Sequence, residues 1–350
     1  MADTHKSFVC SLCLGRIEQD LILPFPSMDP AEAETVGAVV QAFDELLEPR
    51  AEDFRTWDRD QEMPDAFLQE LRDFGAFGLV IPEEYGGMGF GATAYSRTLQ
   101  QLGRHDASVA VTIGAHSSIG MRGLLLFGTD DQKARYLPSL ATGERIAAFC
   151  LTEPGAGSDA ASIRTSAVRD GDDWILNGSK LWITNGGIAD FFTVFAKTGD
   201  AEERRKMSAF LVTRDMAGVS VSQHEDKMGL RASSTTSVYF DNVRIPANNL
   251  LGQEDDGFKV AMQILNSGRT GLGGGCVGGM KRLIELSTHH AKERVQFGSP
   301  IAEFGLIKAK IGQMVVDCYA AESAVNAVNG LIDGGQSEYA VEAAISKIFA

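Results

Sequence analysis

Basic residues are in deficit in this chain: 32 Lys and Arg face 47 Asp and Glu, a formal charge of −15 over 350 residues. A surface that holds nucleic acid regardless of sequence works by neutralising phosphates, and no Lys or Arg cluster is present to do so. Nucleic acid is excluded as a partner. Long apolar runs are also missing, since stretches such as Gly123–Gly128 fall far short of the ~18 uninterrupted apolar residues of a spanning helix. Cysteine is sparse and odd in number (Cys10, Cys13, Cys150, Cys276, Cys318), which argues against a disulfide framework. Cys10 and Cys13 form a C-x-x-C pair, but a zinc site needs about four ligands and no second pair follows. The six histidines include no H-E-x-x-H, which removes zinc proteases. Met1–Lys6 has neither the layout of a secretory leader nor the Arg-rich look of a transit peptide, so the expectation is an intracellular protein.

What is present divides into three periodicities. From Asp29 to about Leu140 apolar residues recur at helical spacing, with Val36, Val39, Val40, Phe43, Leu46 and Leu47 on one stripe and Phe67, Leu68, Leu71 and Phe74 on another. Pro30 and Pro64 occupy first-turn positions. From Ile146 to about Arg244 the pattern turns to short alternating runs (163–168, 174–177, 192–196, 208–212, 237–240), broken by turn dipeptides at 170–171, 177–178 and 185–186. Regular turns without intervening helices predict an antiparallel sandwich or barrel. From Asp256 the helical period returns over roughly 257–292, 300–332 and 336–350, with Ile301, Ile307, Ile311, Met314 and Val315 on a sustained apolar face. The last stretch reaches Ala350 without a C-cap glycine, so the chain reads as cut in mid-helix. Gly199–Lys206 reads as a charged, solvated hairpin tip. The expected organisation is α+β: an extension (1–28), an N-terminal helical domain (29–145), a middle antiparallel β domain (146–255) and a helical bundle, incomplete, from 256 to 350.

Two glycine-rich segments need explanation. Gly155–Ala160 matches the relaxed dinucleotide fingerprint, but that fingerprint requires a following helix, and the alternating run Ile163–Val168 follows instead. The seven glycines between Gly268 and Gly279 contain no P-loop and suit close helix packing or backbone approach to a ligand. A loop such as Thr152–Ser158 can still offer backbone N–H groups and hydroxyls to an anion or a ring edge. Strand alternation places Trp182 and Thr184 on one face, where an indole and a hydroxyl suit a flat heteroaromatic cofactor or plain sandwich surface.

Five longer motifs, FCLTEPGAGSD (149–159), WILNGSKLWITNGG (174–187), KMGLRAS (227–233), VYFDNVRIP (238–246) and ERVQFG (293–298), resemble in order and spacing those of the flavin-dependent acyl-CoA dehydrogenases. Within that family Lys6–Phe8, Pro24–Ser27, Gly114–His116, Ala160–Thr165 and Ile264–Asn266 are most similar to the very-long-chain members. The resemblance implies N-terminal helices, a β domain and a C-terminal bundle, with FAD completed by adjacent subunits of a homodimer or homotetramer. It places Phe149, Cys150, Leu151 and Thr152 beside the flavin, Gly157 and Ser158 close behind, and Trp182, Ile183 and Thr184 along the ring. Arg294, Gln296 and Phe297 match the segment that reaches a neighbouring subunit's FAD, where a guanidinium suits pyrophosphate. Ser158, Asn266 and Arg269 match positions on acyl-CoA, and Gly114 and Ala115 lie in the helix that closes the acyl tunnel.

The implied reaction is α,β-dehydrogenation of a long-chain acyl-CoA to the trans-2-enoyl-CoA in fatty-acid β-oxidation. A carboxylate takes the α-proton, and electrons leave through an electron-transfer flavoprotein. The family carries its base as a Glu either far along the C-terminal helices or just before the Arg equivalent to Arg269. Here the second place is Gly268, so the base is expected beyond Ala350, and Glu153 is read as fixing its loop. Small residues at 114 and 115 deepen a tunnel in which each buried CH₂ contributes roughly 0.8 kcal/mol, or else permit tight helix packing. The alternatives are an acyl-CoA oxidase and a respiratory-complex assembly paralogue. The resemblance allows peripheral membrane association, and a location in a bacterial cytoplasm or at the matrix or inner membrane of a mitochondrion.

Overall fold

A computed structural model describes residues 6–198 and 206–350; the expected tip at Gly199–Lys206 and the start at Met1–Lys6 lie outside these except for Lys206 and Lys6. The order of elements is helices α1 (Phe8–Cys13), α2 (Pro30–Leu47), α3 (Ala51–Asp60), α4 (Asp65–Asp73), α5 (Ala92–His105), α6 (Ala107–Gly114), α7 (Arg122–Phe127) and α8 (Asp130–Ala141). Then come strands β1 (Ala147–Cys150), β2 (Ser166–Asp170), β3 (Asp173–Thr184), β4 (Phe191–Lys197), β5 (Met207–Thr213), β6 (Val219–Val221), β7 (Thr235–Ile245) and β8 (Leu250–Leu251). Helix α9 (Gly257–Glu293), the hairpin β9 (Val295–Gln296) and β10 (Ser299–Pro300), and helices α10 (Gly305–Asp333) and α11 (Ala340–Phe349) complete the chain. This is the expected α+β architecture. It divides into two compact units, neither continuous in sequence: Met1–Glu52, Gly91–Ala110 and Arg269–Ala350 form one, Asp53–Phe90 and Val111–Gly268 the other.

The first unit is helical. Asp29 caps α2 by accepting from the Ala31 N–H at 2.9 Å, with Pro30 at the first helical position, where a missing N–H costs nothing. Asp333, at the far end of α10, caps α5 by accepting from Ala92 N at 2.6 Å and Thr93 N at 2.9 Å. The glycine series lies where α9 meets α5: a Cβ at Gly278 would overlap the Gln100 carbonyl, one at Gly274 would stand 2.8 Å from the Ser96 carbonyl, and Gly103 is pressed against Gly275. Those glycines serve helix packing, since only a bare backbone allows this approach. The apolar face expected on α10 is not buried along its first half: Val315 and Val316 are exposed, and burial begins at Cys318 and Ala321.

The second unit is built on one sheet of order β6-β7-β3-β2-β4-β5-β8, with β1 added beside β4. Pairing is antiparallel, as the turn spacing predicts, except that β1 runs parallel to β4 and β2 touches β4 through one parallel bridge. Strand β4 is buried on both faces. Phe191 and Phe195 join Met121, Leu124, Leu137 and Ile264 of the covering helices, while Phe192, Val194 and Ala196 meet Trp174, Leu176, Phe210 and Val238 of the sheet itself.

Two expectations need correction here. Asn177-Gly178 is not a turn but an interior part of β3, which runs unbroken to Thr184. Gly178 there has φ +148, and a Cβ on it would press on Thr165. Gly178 lies opposite a bulge whose extra residue belongs to β7, and its freedom of φ serves that irregular stretch of strand rather than a turn. Second, Ala107–Phe127 is long and apolar enough by composition to cross a membrane, although Thr112, His116, Ser117, Ser118 and Arg122 interrupt its apolar run. More than half of its most apolar window is buried within the protein, as in a core helix.

Candidate functional site

The loop after β1 is organised by one ion pair. Glu153 and Ala156 exchange backbone hydrogen bonds (3.1 and 3.0 Å), closing a tight turn over Pro154 and Gly155. The Glu153 carboxylate, nearly buried, accepts from Lys180 Nζ at 2.8 Å, from Arg164 N at 2.6 Å and from Thr165 N at 3.0 Å. Burial alone would raise this carboxyl, but the Lys180 charge and the three hydrogen bonds outweigh it and hold it below its ordinary value. Burial also pulls the Lys180 ammonium down, opposed by Glu153. Both carboxylate oxygens are thus occupied, which makes Glu153 a loop anchor. Sequence alternation alone could have flagged Lys180, which shares parity in β3 with the core residues Trp174 and Leu176.

Around that anchor the loop is open. Gly155 and Gly157 have nothing within 4 Å of an added Cβ. Thr152 contributes its carbonyl to the Leu181 N–H at 2.9 Å, which ties the loop to β3. Among the described residues the hydroxyls of Thr152, Ser158 and Thr184 have no protein partner. Phe149 packs against Phe195 with the rings tilted and their centroids 5.1 Å apart, Leu151 is buried, and burial pushes the Cys150 thiol up to about 12, so it is no nucleophile at neutral pH.

Trp182 reaches solvent by a bulge rather than by alternation. Plain alternation would carry it to the face of buried Lys180. Between Lys180 and Ile183, however, β3 has one residue more than β7, and Trp182 takes it up at φ 55. The indole is 63% exposed, while Ile183 enters the core and Thr184 is half-buried. A left-handed Trp is a strained residue, held by the ladder on either side. A second, opposite shift between Leu176 and Gly178 gives β7 the extra residue, with Asn242 at φ 51, so the register recovers. Just past the strand, Asn185 sits at φ 65, fully buried, and donates from Nδ2 to the carbonyl of Thr112 at 2.9 Å.

Ala115–Gly120, the continuation of α6, is a π-helix, a form often found at functional positions. His116 within it accepts the Ala147 N–H on Nδ1 at 2.9 Å, and burial lowers its pKa from 6.5 to about 4. The imidazole is neutral and structural, pinning the π segment to β1. Gly114 and Ala115 lie at the start of this segment, and Ser118 Oγ returns to the Gly114 carbonyl at 2.6 Å. A Cβ at Gly268 would stand 2.7 Å from Ile119 Cγ2, so a larger residue there meets a β-branched side chain with little room to yield.

The second unit therefore gathers Phe149, Cys150, Leu151, Thr152, Gly157, Ser158, Trp182, Ile183 and Thr184 with Gly114, Ala115 and Asn266. Arg269, Arg294, Gln296 and Phe297 belong to the first. Arg294 and Gln296 are exposed at the β9–β10 hairpin, and Phe297 at its tip is 96% exposed at φ 54, followed by Gly298 at φ 83. Lys180, His116 and Asn185 are the residues of this region that the motifs contain but sequence reasoning passed over.

Three family models match the chain: the acyl-CoA dehydrogenase N-terminal domain over residues 30–144, the middle domain over 148–243 and the C-terminal domain over 255–350. The chain is 46% identical over 356 aligned residues to the very long-chain specific acyl-CoA dehydrogenase, mitochondrial, of Homo sapiens, covering 98% of this chain and 54% of that protein. It is 39% identical to an acyl-CoA dehydrogenase of Bacillus subtilis, covering 84% and 77% respectively. A solved acyl-CoA dehydrogenase from Bacillus anthracis, complexed with FAD, superposes with a TM-score of 0.84 at 36% identity, covering 94% of this chain and 59% of that one. The chain spans about half the length of the very long-chain relatives it matches.

Proposed function

Because the chain belongs to the acyl-CoA dehydrogenase family, we propose that it is the flavin-binding part of an enzyme that dehydrogenates long-chain acyl-CoA to trans-2-enoyl-CoA, with FAD as cofactor and an electron-transfer flavoprotein as acceptor. One observation carries the reading: an indole turned out of its strand by a bulge, 63% exposed, near a glycine loop whose hydroxyls are unspent. That surface has the flat apolar platform and ring-edge donors that an isoalloxazine needs.

FAD, when bound, supplies the two-electron oxidation. The chain's own residues bind and orient. Trp182 packs against the ring, Thr152 and Thr184 reach its polar edge, and Phe149, Cys150, Leu151 and Ile183 line the strands beside it. Gly157 and Ser158 let the backbone come close to the phosphates. Arg294, Gln296 and Phe297 serve the FAD of a neighbouring subunit in a homodimer or homotetramer. Ser158, Asn266 and Arg269 hold the acyl-CoA. Gly114 and Ala115, at a π-helical segment, leave room for a long acyl tail, which rewards each added CH₂ by roughly 0.8 kcal/mol. Glu153 is fully engaged by its three donors and is not free to take the α-proton, and position 268 is a closely packed glycine that offers no carboxylate.

Anaerobic addition of palmitoyl-CoA to the complete FAD-loaded protein should bleach the flavin band, and an unchanged spectrum would refute the proposal. Peroxide release without an acceptor protein would instead indicate an oxidase, and a respiratory chain lost on gene deletion despite negligible turnover would indicate an assembly role.

A further inference from the structure

Five thiols are distributed unevenly. Cys150 and Cys318 are buried and Cys276 half-buried, and desolvation raises the pKa of each, which withholds the reactive thiolate. Cys10 and Cys13 are both exposed and free, and they stand three residues apart on α1. Residues at i and i+3 share a helix face with Cβ atoms roughly 5–6 Å apart against the roughly 3.5–4.5 Å of a disulfide, so closing the bridge draws in the last turn of α1, which ends at Cys13, by about 1–2 Å. The helix is also held in place. Ser7 caps it by accepting from Cys10 N at 3.1 Å, and the buried carboxylate of Glu342 on α11 accepts from Ser7 Oγ at 2.6 Å and from Val9 N at 2.9 Å. Among the described residues no third metal-ligating side chain joins the two sulfurs; the one grouping of three such residues is Asp44, Glu48 and His105, elsewhere in the unit.

We propose that Cys10 and Cys13 form a redox-active dithiol that exchanges with low-molecular-weight disulfides of the glutathione class, closing an intramolecular disulfide on α1. One thiolate attacks a sulfur of the oxidised glutathione, breaking its S–S bond, forming a mixed disulfide and releasing one glutathione. The second thiolate then attacks the protein-bound sulfur and releases the other. The protein pair loses two electrons, the glutathione disulfide gains them, and the two thiol protons leave on the two glutathiones.

The full-length protein, equilibrated with glutathione buffers of increasing oxidised fraction, quenched in acid, alkylated and mapped by mass spectrometry, tests this. The expected result is joint loss of alkylation at Cys10 and Cys13, with no retained glutathione and no change at Cys150 or Cys318. Cys13→Ser should stop at a mixed disulfide on Cys10, and Cys10→Ser at one on Cys13. Both positions are exposed, so the variants should keep the wild-type circular dichroism. Independent glutathionylation of the two thiols in the wild type would overturn the proposal. So would persistent alkylation of both across the series, or stoichiometric Zn²⁺ binding by the pair that blocks exchange.

Discussion

Replacing Lys180 with Met tests how the loop after β1 is held. The ammonium is fully buried, 2.8 Å from Glu153 Oε1 and 3.2 Å from the Leu151 carbonyl, and Met matches its volume without its charge. Glu153 would remain almost buried with only the N–H groups of Arg164 and Thr165 to satisfy it. Removing one partner of a buried pair costs about 3–5 kcal/mol. The two surviving hydrogen bonds put the expectation near 3, a large share of a total stability of roughly 5–15 kcal/mol. Glu153→Gln in the same chain takes away the stranded charge and should restore about 1–2 kcal/mol, giving the cycle a measurable coupling.

The pH dependence follows from sign. In the wild type the Glu153 pKa is depressed below 4.5, so its contribution is full above that value and is lost as pH falls through the lowered one. In Lys180→Met burial has no opposing cation, the carboxyl rises, and the deficit should shrink as acid protonates it. Urea unfolding followed by circular dichroism, at neutral pH and on the way to acid, reads both effects. A loss under ~1 kcal/mol at neutral pH, or a deficit that ignores pH, would show that the pair does not organise the loop.

Four further outcomes follow. His116, depressed from 6.5 to about 4, binds its proton more readily unfolded, so stability should fall from pH 6.5 towards pH 4 by on the order of 3 kcal/mol, and His116→Gln should flatten that part of a thermal-melt profile. Gly278→Ala drives a Cβ into the Gln100 carbonyl and should lose about 3 kcal/mol or more in denaturant unfolding, while Gly157→Ala, with open space, should stay within ~1 kcal/mol. Asn185→Leu removes a residue suited to φ 65 together with its side-chain donor to the Thr112 carbonyl, at a cost of about 2–4 kcal/mol in the same assay. Asp333→Ala strips the cap of α5 and should cost about 1 kcal/mol, with faster hydrogen exchange at Ala92 and Thr93.

The helices were legible because their signals are local. Asp29-Pro30 starts α2 where the chain says it should, and the stripe from Val36 to Leu47 supplies Val36, Phe43 and Leu47 to the core. The β region was legible as a class through its turn spacing. What stayed hidden depends on a second segment. Whether Asn177-Gly178 turns the chain or continues a strand opposite a bulge is decided by Thr165 and β7, not by the dipeptide. The glycines of α9 acquire meaning only against Ser96, Gln100 and Gly103 of α5. Alternation puts Lys180 on the buried parity of β3, but its partner Glu153 comes to it from 27 residues upstream and no local pattern announces that pairing.

The paired irregularities of β3 and β7 cancel, one surplus residue on each ribbon, so that everything before and after them stays in phase. The indole is therefore an addition to the weave and not one of its threads. A substitution at 182 can change what the surface offers while the hydrophobic layer beneath keeps its alignment, and deleting that single residue would leave plain alternation, with Ile183 two places after Lys180, still opposite Thr236 and still facing the interior.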